Sequence, residues 1–145
     1  MSSQWQPYRE SPGVTLARTG AIAVILGGLL AGWSGGGLAR WPLATVLALW
    51  PSLGGHFVEL WYVNWLRPRL SRSRLVQMGA RVVVWFVGGS ALMAGMGMTA
   101  TALGARWPRW GHVWWAGGVG FIALELLVHL VLHWRGRPSF YDGRG

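Results

Sequence analysis

The sequence predicts an all-α integral membrane bundle of four transmembrane helices with both termini in the cytoplasm. Three observations lead there. Hydrophobic residues make up 52% of the 145 residues and charged residues 12%, about half the roughly 25% expected of a soluble domain. The apolar residues gather in four runs, each close to the ~20 residues with which a helix crosses the hydrocarbon core. The basic side chains are all arginine, fall between those runs and favour one side, the pattern that sets topology. Twelve tryptophans suit the same setting, because an indole ring is at home where an apolar body and a wet N–H are both satisfied.

Residues 1–18 form a polar cytoplasmic tail, with Trp5 and Tyr8 suited to lie on the membrane surface. The first span is expected over residues 19–38. The same stretch has the parts of a signal peptide: a basic flank, an apolar core and the small-residue site Gly37-Leu38-Ala39. Cleavage there would leave three spans. Gly28, Gly32 and Gly36 recur every fourth residue, which predicts one helix face where a neighbouring backbone approaches closely. Arg40-Trp41-Pro42 makes a tight turn, and Pro42 fits the first turn of the second span, residues 42–66. Pro51 inside that span, followed by Gly54 and Gly55, predicts a weakened or kinked helix near residues 48–50.

Residues 67–81 hold Arg67, Arg69, Arg72, Arg74 and Arg81 and read as a connecting segment; the first four are candidates for anionic lipid head groups. The third span is expected over residues 82–104, the link over 105–111, the fourth span over 112–134 and a second cytoplasmic tail over 135–145. With four spans, ten arginines share the side of the termini and three face the other side, which places the chain in the cytoplasmic (inner) membrane. Nucleic-acid binding is excluded, since the arginines serve topology and no soluble face carries them. With no cysteine, thiol chemistry, disulfides and zinc–thiolate sites are excluded as well.

Chemistry is expected inside the membrane. Of four acidic residues, Glu59 and Glu125 fall within predicted spans, together with His56, His129 and His133. An ionised side chain at the centre of a span costs ~2.5–3.5 kcal/mol on insertion scales, so a chain this poor in acids has a reason to keep two there. His56 and Glu59 are three apart, Glu125 and His129 four apart, and both spacings put a pair on one helix face. The pairs also sit at matching depths, and His133 extends the second toward water. If the second and fourth helices touch, these groups converge.

Three functional readings fit such a set. It binds a mononuclear metal, for which imidazole and carboxylate are suitable ligands; it ligates a haem or chlorophyll-type ring through one histidine; or it handles protons or small ions. Beside them stands a structural reading, in which His–Glu hydrogen bonds join helices in an accessory or assembly subunit that associates with itself or packs in a larger membrane complex. Met93, Met96 and Met98 are weaker candidates for soft-metal ligands and better ones for gap filling. Thr99 and Thr101 are expected to bond back to their own helix. His112 reads as interfacial, and Asn64 as a cap or interhelical contact. No nucleophile–base set and no phosphate loop is apparent, so the sequence does not point to an enzyme.

Overall fold

The computed structural model describes residues 11–105 and 114–136. Trp5, Tyr8, Arg106, Arg109, His112, Arg137 and Arg144 lie outside that set. The described residues form four helices long and apolar enough to cross a membrane: α1 (Pro12–Trp33), α2 (Gly37–Arg69), α3 (Arg74–Ala102) and α4 (Trp115–Trp134). This is the build of a multi-pass membrane protein.

Local chemistry sets the ends. The Ser11 hydroxyl accepts from the Val14 N–H at 3.3 Å and Pro12 occupies the first turn, so α1 starts well before the apolar run. It stops at Gly35, whose φ of 68° is left-handed, where the Gly36 N–H closes back on the Ala31 carbonyl. The end of α3 repeats the device, with Gly104 at φ 69° and the Ala105 N–H on the Ala100 carbonyl. α3 begins at Arg74 behind Ser73. The expected connecting segment is thus mostly helix, and Arg81 lies on α3 rather than in a loop.

α2 is not uniform. It runs as α-helix over Gly37–Leu49, widens to a π turn over Trp50–Gly54, continues as α-helix over Gly55–Trp61, widens again over Tyr62–Leu66 and ends in a 3₁₀ turn, Arg67–Arg69. The first widening carries the helix past Pro51, which lacks an N–H and crowds the preceding turn. The weakness expected from Pro51 is present, displaced slightly toward the C-terminus and expressed as a π turn.

The principal contacts run in chain order: α1 along α2, α2 against α3, α3 along α4. Neighbours are antiparallel, and α1–α2 and α3–α4 form two hairpins. The close-packed face of α1 is Thr19, Ala23, Gly27 and Ala31, one residue away from the expected stripe. A Cβ on Gly27 would fall 2.6 Å from the Thr45 Cα, so this glycine sets the α1–α2 approach. Gly28 instead lies under the Trp41 ring, Gly32 faces open space and Gly36 lies in the turn against the Arg40 side chain. The expectation of a Gly28–Gly32–Gly36 packing face is corrected accordingly: the fourfold spacing of small residues is real, but its register starts from Thr19.

The second hairpin depends on Gly89, where a Cβ would sit 2.7 Å from the Phe121 ring and 2.8 Å from the Gly117 carbonyl oxygen. Indole N–H groups join the helices further. Trp41 Nε1 donates to the Val24 carbonyl and Trp50 Nε1 to the Thr99 hydroxyl, both at 2.8 Å. Thr99 and Thr101 donate in turn to the carbonyls of Gly95 and Gly97, as their sequence position suggests. Met96 packs with Leu47 and Ala100, Met93 lies against them and Met98 points outward. The three methionines share no centre; Met93 and Met96 act as fillers and Met98 does not. Between α1 and α4 an apolar cavity of about 610 Å³ opens, walled by Leu26, Leu30 and Trp33 on one side and by Phe121 and Leu124 on the other.

Candidate functional site

The start of α1, the α2–α3 connection and the end of α4 lie at one end of the bundle, the arginine-rich end. At 1.5 Å per residue, Arg81 lies roughly 10 Å along α3 from that end and Glu125 roughly 14 Å along α4. Antiparallel packing brings Glu59 of α2 to the same level. The three side chains meet there. Arg81 Nη2 donates to both carboxylate oxygens of Glu59 at 3.1 Å. Arg81 Nε and Nη2 both reach Glu125 Oε1. One guanidinium therefore holds two carboxylates with its fork, a geometry a lysine ammonium does not offer. The Arg81 side chain is 6% exposed, Glu125 13% and Glu59 25%, so Glu59 is the more accessible acid.

The surroundings are layered. Toward the arginine-rich end, the Tyr62 ring lies 5.2 Å from Arg81 Cζ, and its hydroxyl donates to the Gln77 carbonyl at 3.1 Å. Toward the opposite end, Trp85 and Phe121 stack with ring centres 5.2 Å apart and planes 10° from parallel. Trp85 is one turn from Arg81 on α3 and Phe121 one turn from Glu125 on α4, so the rings cover the triad directly. Gly55, one turn from Glu59 on α2, leaves room for them: a Cβ there would already touch the Phe121 ring at 3.4 Å.

Convergence of the two His–Glu pairs is conditional on contact between the second and fourth helices; the structure brings the two glutamates together through Arg81 of α3, and not the histidines. His56 turns to α1, where its Nδ1 lies 3.0 Å from Arg18 Nη2. A guanidinium only donates, so in this contact the imidazole nitrogen accepts. His129 stays on the Glu125 face of α4, one turn nearer the arginine-rich end, with Nδ1 buried. Its ring centre is 6.4 Å from that of His133, which is exposed near the end of α4.

No three histidines or acids come together as a metal-ligand group among the described residues. The carboxylates that would have supplied one are engaged by Arg81, and His56 by Arg18. The apolar cavity is lined by neither His56 nor His129, so a ring placed there would lack the histidine ligand that the sequence reading supplied.

Arg67, Arg69, Arg72 and Arg74 surround the α2–α3 turn. Arg69 is folded over the Trp65 ring at 4.3 Å, itself stacked on Trp61, and donates to the Trp65 carbonyl. Arg72 and Arg74 are exposed. The sequence reading missed Arg81 and Arg18 because both flank apolar runs and were counted as topology. A signal was available for Arg81: two acids inside spans demand a nearby cation, and Arg81 borders the apolar run most closely. Comparison with models of known protein families, with curated proteins and with solved structures finds no match to this chain.

Proposed function

We propose that this multi-pass protein of the cytoplasmic membrane takes up and releases a proton at the triad of Glu59, Arg81 and Glu125. One observation carries the reading: two carboxylates share a single guanidinium. With both acids ionised the cluster holds one excess negative charge, and a charge within a span costs ~2.5–3.5 kcal/mol on insertion scales. One proton removes it, and either carboxylate can carry that proton while the other stays paired with Arg81. The distribution of arginines supports placing the arginine-rich end in the cytoplasm.

The test is infrared difference spectroscopy of the purified protein across a pH titration. A protonated-carboxyl carbonyl band is expected to grow and fade reversibly while the fold persists. Glu59→Gln or Glu125→Gln should abolish the titration. A wild-type protein with no such band at any pH where it stays folded ends this reading.

A second reading, an accessory subunit that packs in a larger membrane assembly, draws on α4. This is the least buried of the four helices and borders the open apolar cavity. Mass measurement in detergent tests it: a strictly monomeric particle, recovered also when purified from its native membrane, counts against it.

A further inference from the structure

Glu125, His129 and His133 succeed one another at four-residue steps along α4, so they form one column on a single helix face. It begins at the triad, passes a half-buried imidazole and ends at an exposed one near the arginine-rich end. An imidazole takes a proton on one nitrogen and gives it up from the other, so two in series make a path. Beside the column's origin at Glu125 stand Arg81 of α3 and, through it, Glu59 and Tyr62 of α2, with Arg67 near Tyr62. The Tyr62 hydroxyl is committed to the Gln77 carbonyl and the two arginines carry fixed charge, which leaves the histidines as the carriers.

The opposite direction is closed. The Trp85–Phe121 stack lies directly on the triad, with Gly55 tucked beneath it. Beyond the rings α3 offers Ser90, whose hydroxyl is enclosed where α3 crosses α4 at Gly118. Past that lies the apolar cavity, whose walls carry no hydroxyl, imidazole or carboxylate. Ser52, Trp50 and Thr99 in this half are already hydrogen-bonded within the protein, and none is an acid or an imidazole.

We infer that the triad exchanges its proton with one side of the membrane only, the arginine-rich side, by way of His129 and His133. The inference rests on the proton-binding reading and adds a direction to it. On release the proton leaves the carboxyl of Glu125 for a His129 ring nitrogen. It departs from the other nitrogen toward His133 and then to water, and Glu125 is left as the carboxylate paired with Arg81. A triad so wired couples its charge to the pH of one compartment and conducts nothing across.

Dicyclohexylcarbodiimide tests this, since it enters through lipid and modifies protonated carboxyl groups. The full-length protein is placed in proteoliposomes of known orientation, with inner and outer pH set independently. Labelling of Glu59 and Glu125 is read by peptide mass spectrometry after short exposures. It is expected to follow the pH on the arginine-rich side and to ignore the other. In His129→Gln and His133→Gln, the response to a pH jump should slow by about a hundredfold, the lower end of what a positioned proton carrier contributes. His133 is exposed at the end of its helix, so its variant keeps the test valid if His129→Gln fails to fold. Labelling that follows the opposite side, or both sides equally, overturns the one-sided route, as do wild-type kinetics in the histidine variants. Absence of labelling at every pH overturns the proton-binding reading itself, and the route with it.

Discussion

Arg81→Met removes the one cation that two half-buried carboxylates share, while keeping an unbranched side chain of helix-compatible shape. In the parent protein the guanidinium makes hydrogen bonds to both acids from a position 6% exposed. The variant leaves Glu59 and Glu125 facing each other with no counter-charge. Breaking a buried ion pair from one side costs ~3–5 kcal/mol, and two acids lose their partner here, so the upper half of that range is expected near neutral pH. The loss should shrink as the pH falls, because protonated carboxyls neither repel each other nor require a cation. Adding Glu59→Gln and Glu125→Gln should recover most of the stability, since a neutral hydrogen-bonding set replaces the unpaired charges. Reversible unfolding in mixed micelles, followed by tryptophan fluorescence at several pH values, measures all of this. A loss below about 1 kcal/mol, or one that does not change with pH, would refute the argument that Arg81 neutralises ionised acids in a buried site.

Three further outcomes follow from the packing. Gly27→Leu should separate α1 from α2, since even a Cβ meets the Thr45 backbone at 2.6 Å, whereas Gly32→Leu should be tolerated because its position is open; overpacking costs ~1–3 kcal/mol, and micellar unfolding of the pair reads the register of the α1 stripe. Trp50→Phe should cost about 0.6 kcal/mol, the average for a hydrogen bond between membrane helices, through loss of the 2.8 Å bond to Thr99; a Thr99→Val background should remove most of that difference. Arg72→Gln with Arg74→Gln should leave the fold intact and weaken retention of anionic lipid by about 1 kcal/mol per arginine, as read by native mass spectrometry against a zwitterionic control.

The four helices were legible because each apolar run is long enough to announce itself. Their ends were less so: the Ser11 hydroxyl caps α1 and α3 starts at Arg74, both in polar sequence, where hydropathy gives no signal. Glu59 and Glu125 stood out in the sequence because acids are scarce here and costly in a span. Their partner did not, since an arginine beside an apolar run serves topology and ion pairing equally well, and only the start of α3 at Arg74 decides between them. The direction of His56 was hidden for another reason. Between Trp50 and Leu66 the helix changes its winding twice, so face assignments counted at 3.6 residues per turn drift. Pro51 gave notice of the first change; nothing in Tyr62–Leu66 gives notice of the second. The small-residue stripe on α1 was found in spacing and missed in phase, because alanine and threonine share it with glycine.

Those two π turns give α2 a mechanical character that the other helices lack. They bracket a seven-residue α-helical segment, Gly55–Trp61, that carries both His56 and Glu59. A π turn holds a residue in excess of the regular winding, so the segment is set between two joints, like an axle between bearings. Its flanks meet Arg18 of α1 through His56 and Arg81 of α3 through Glu59, while Val58 packs on Gly88 between them. At this segment the two hairpins are therefore joined by a polar contact on each flank, one toward α1 and one toward α3.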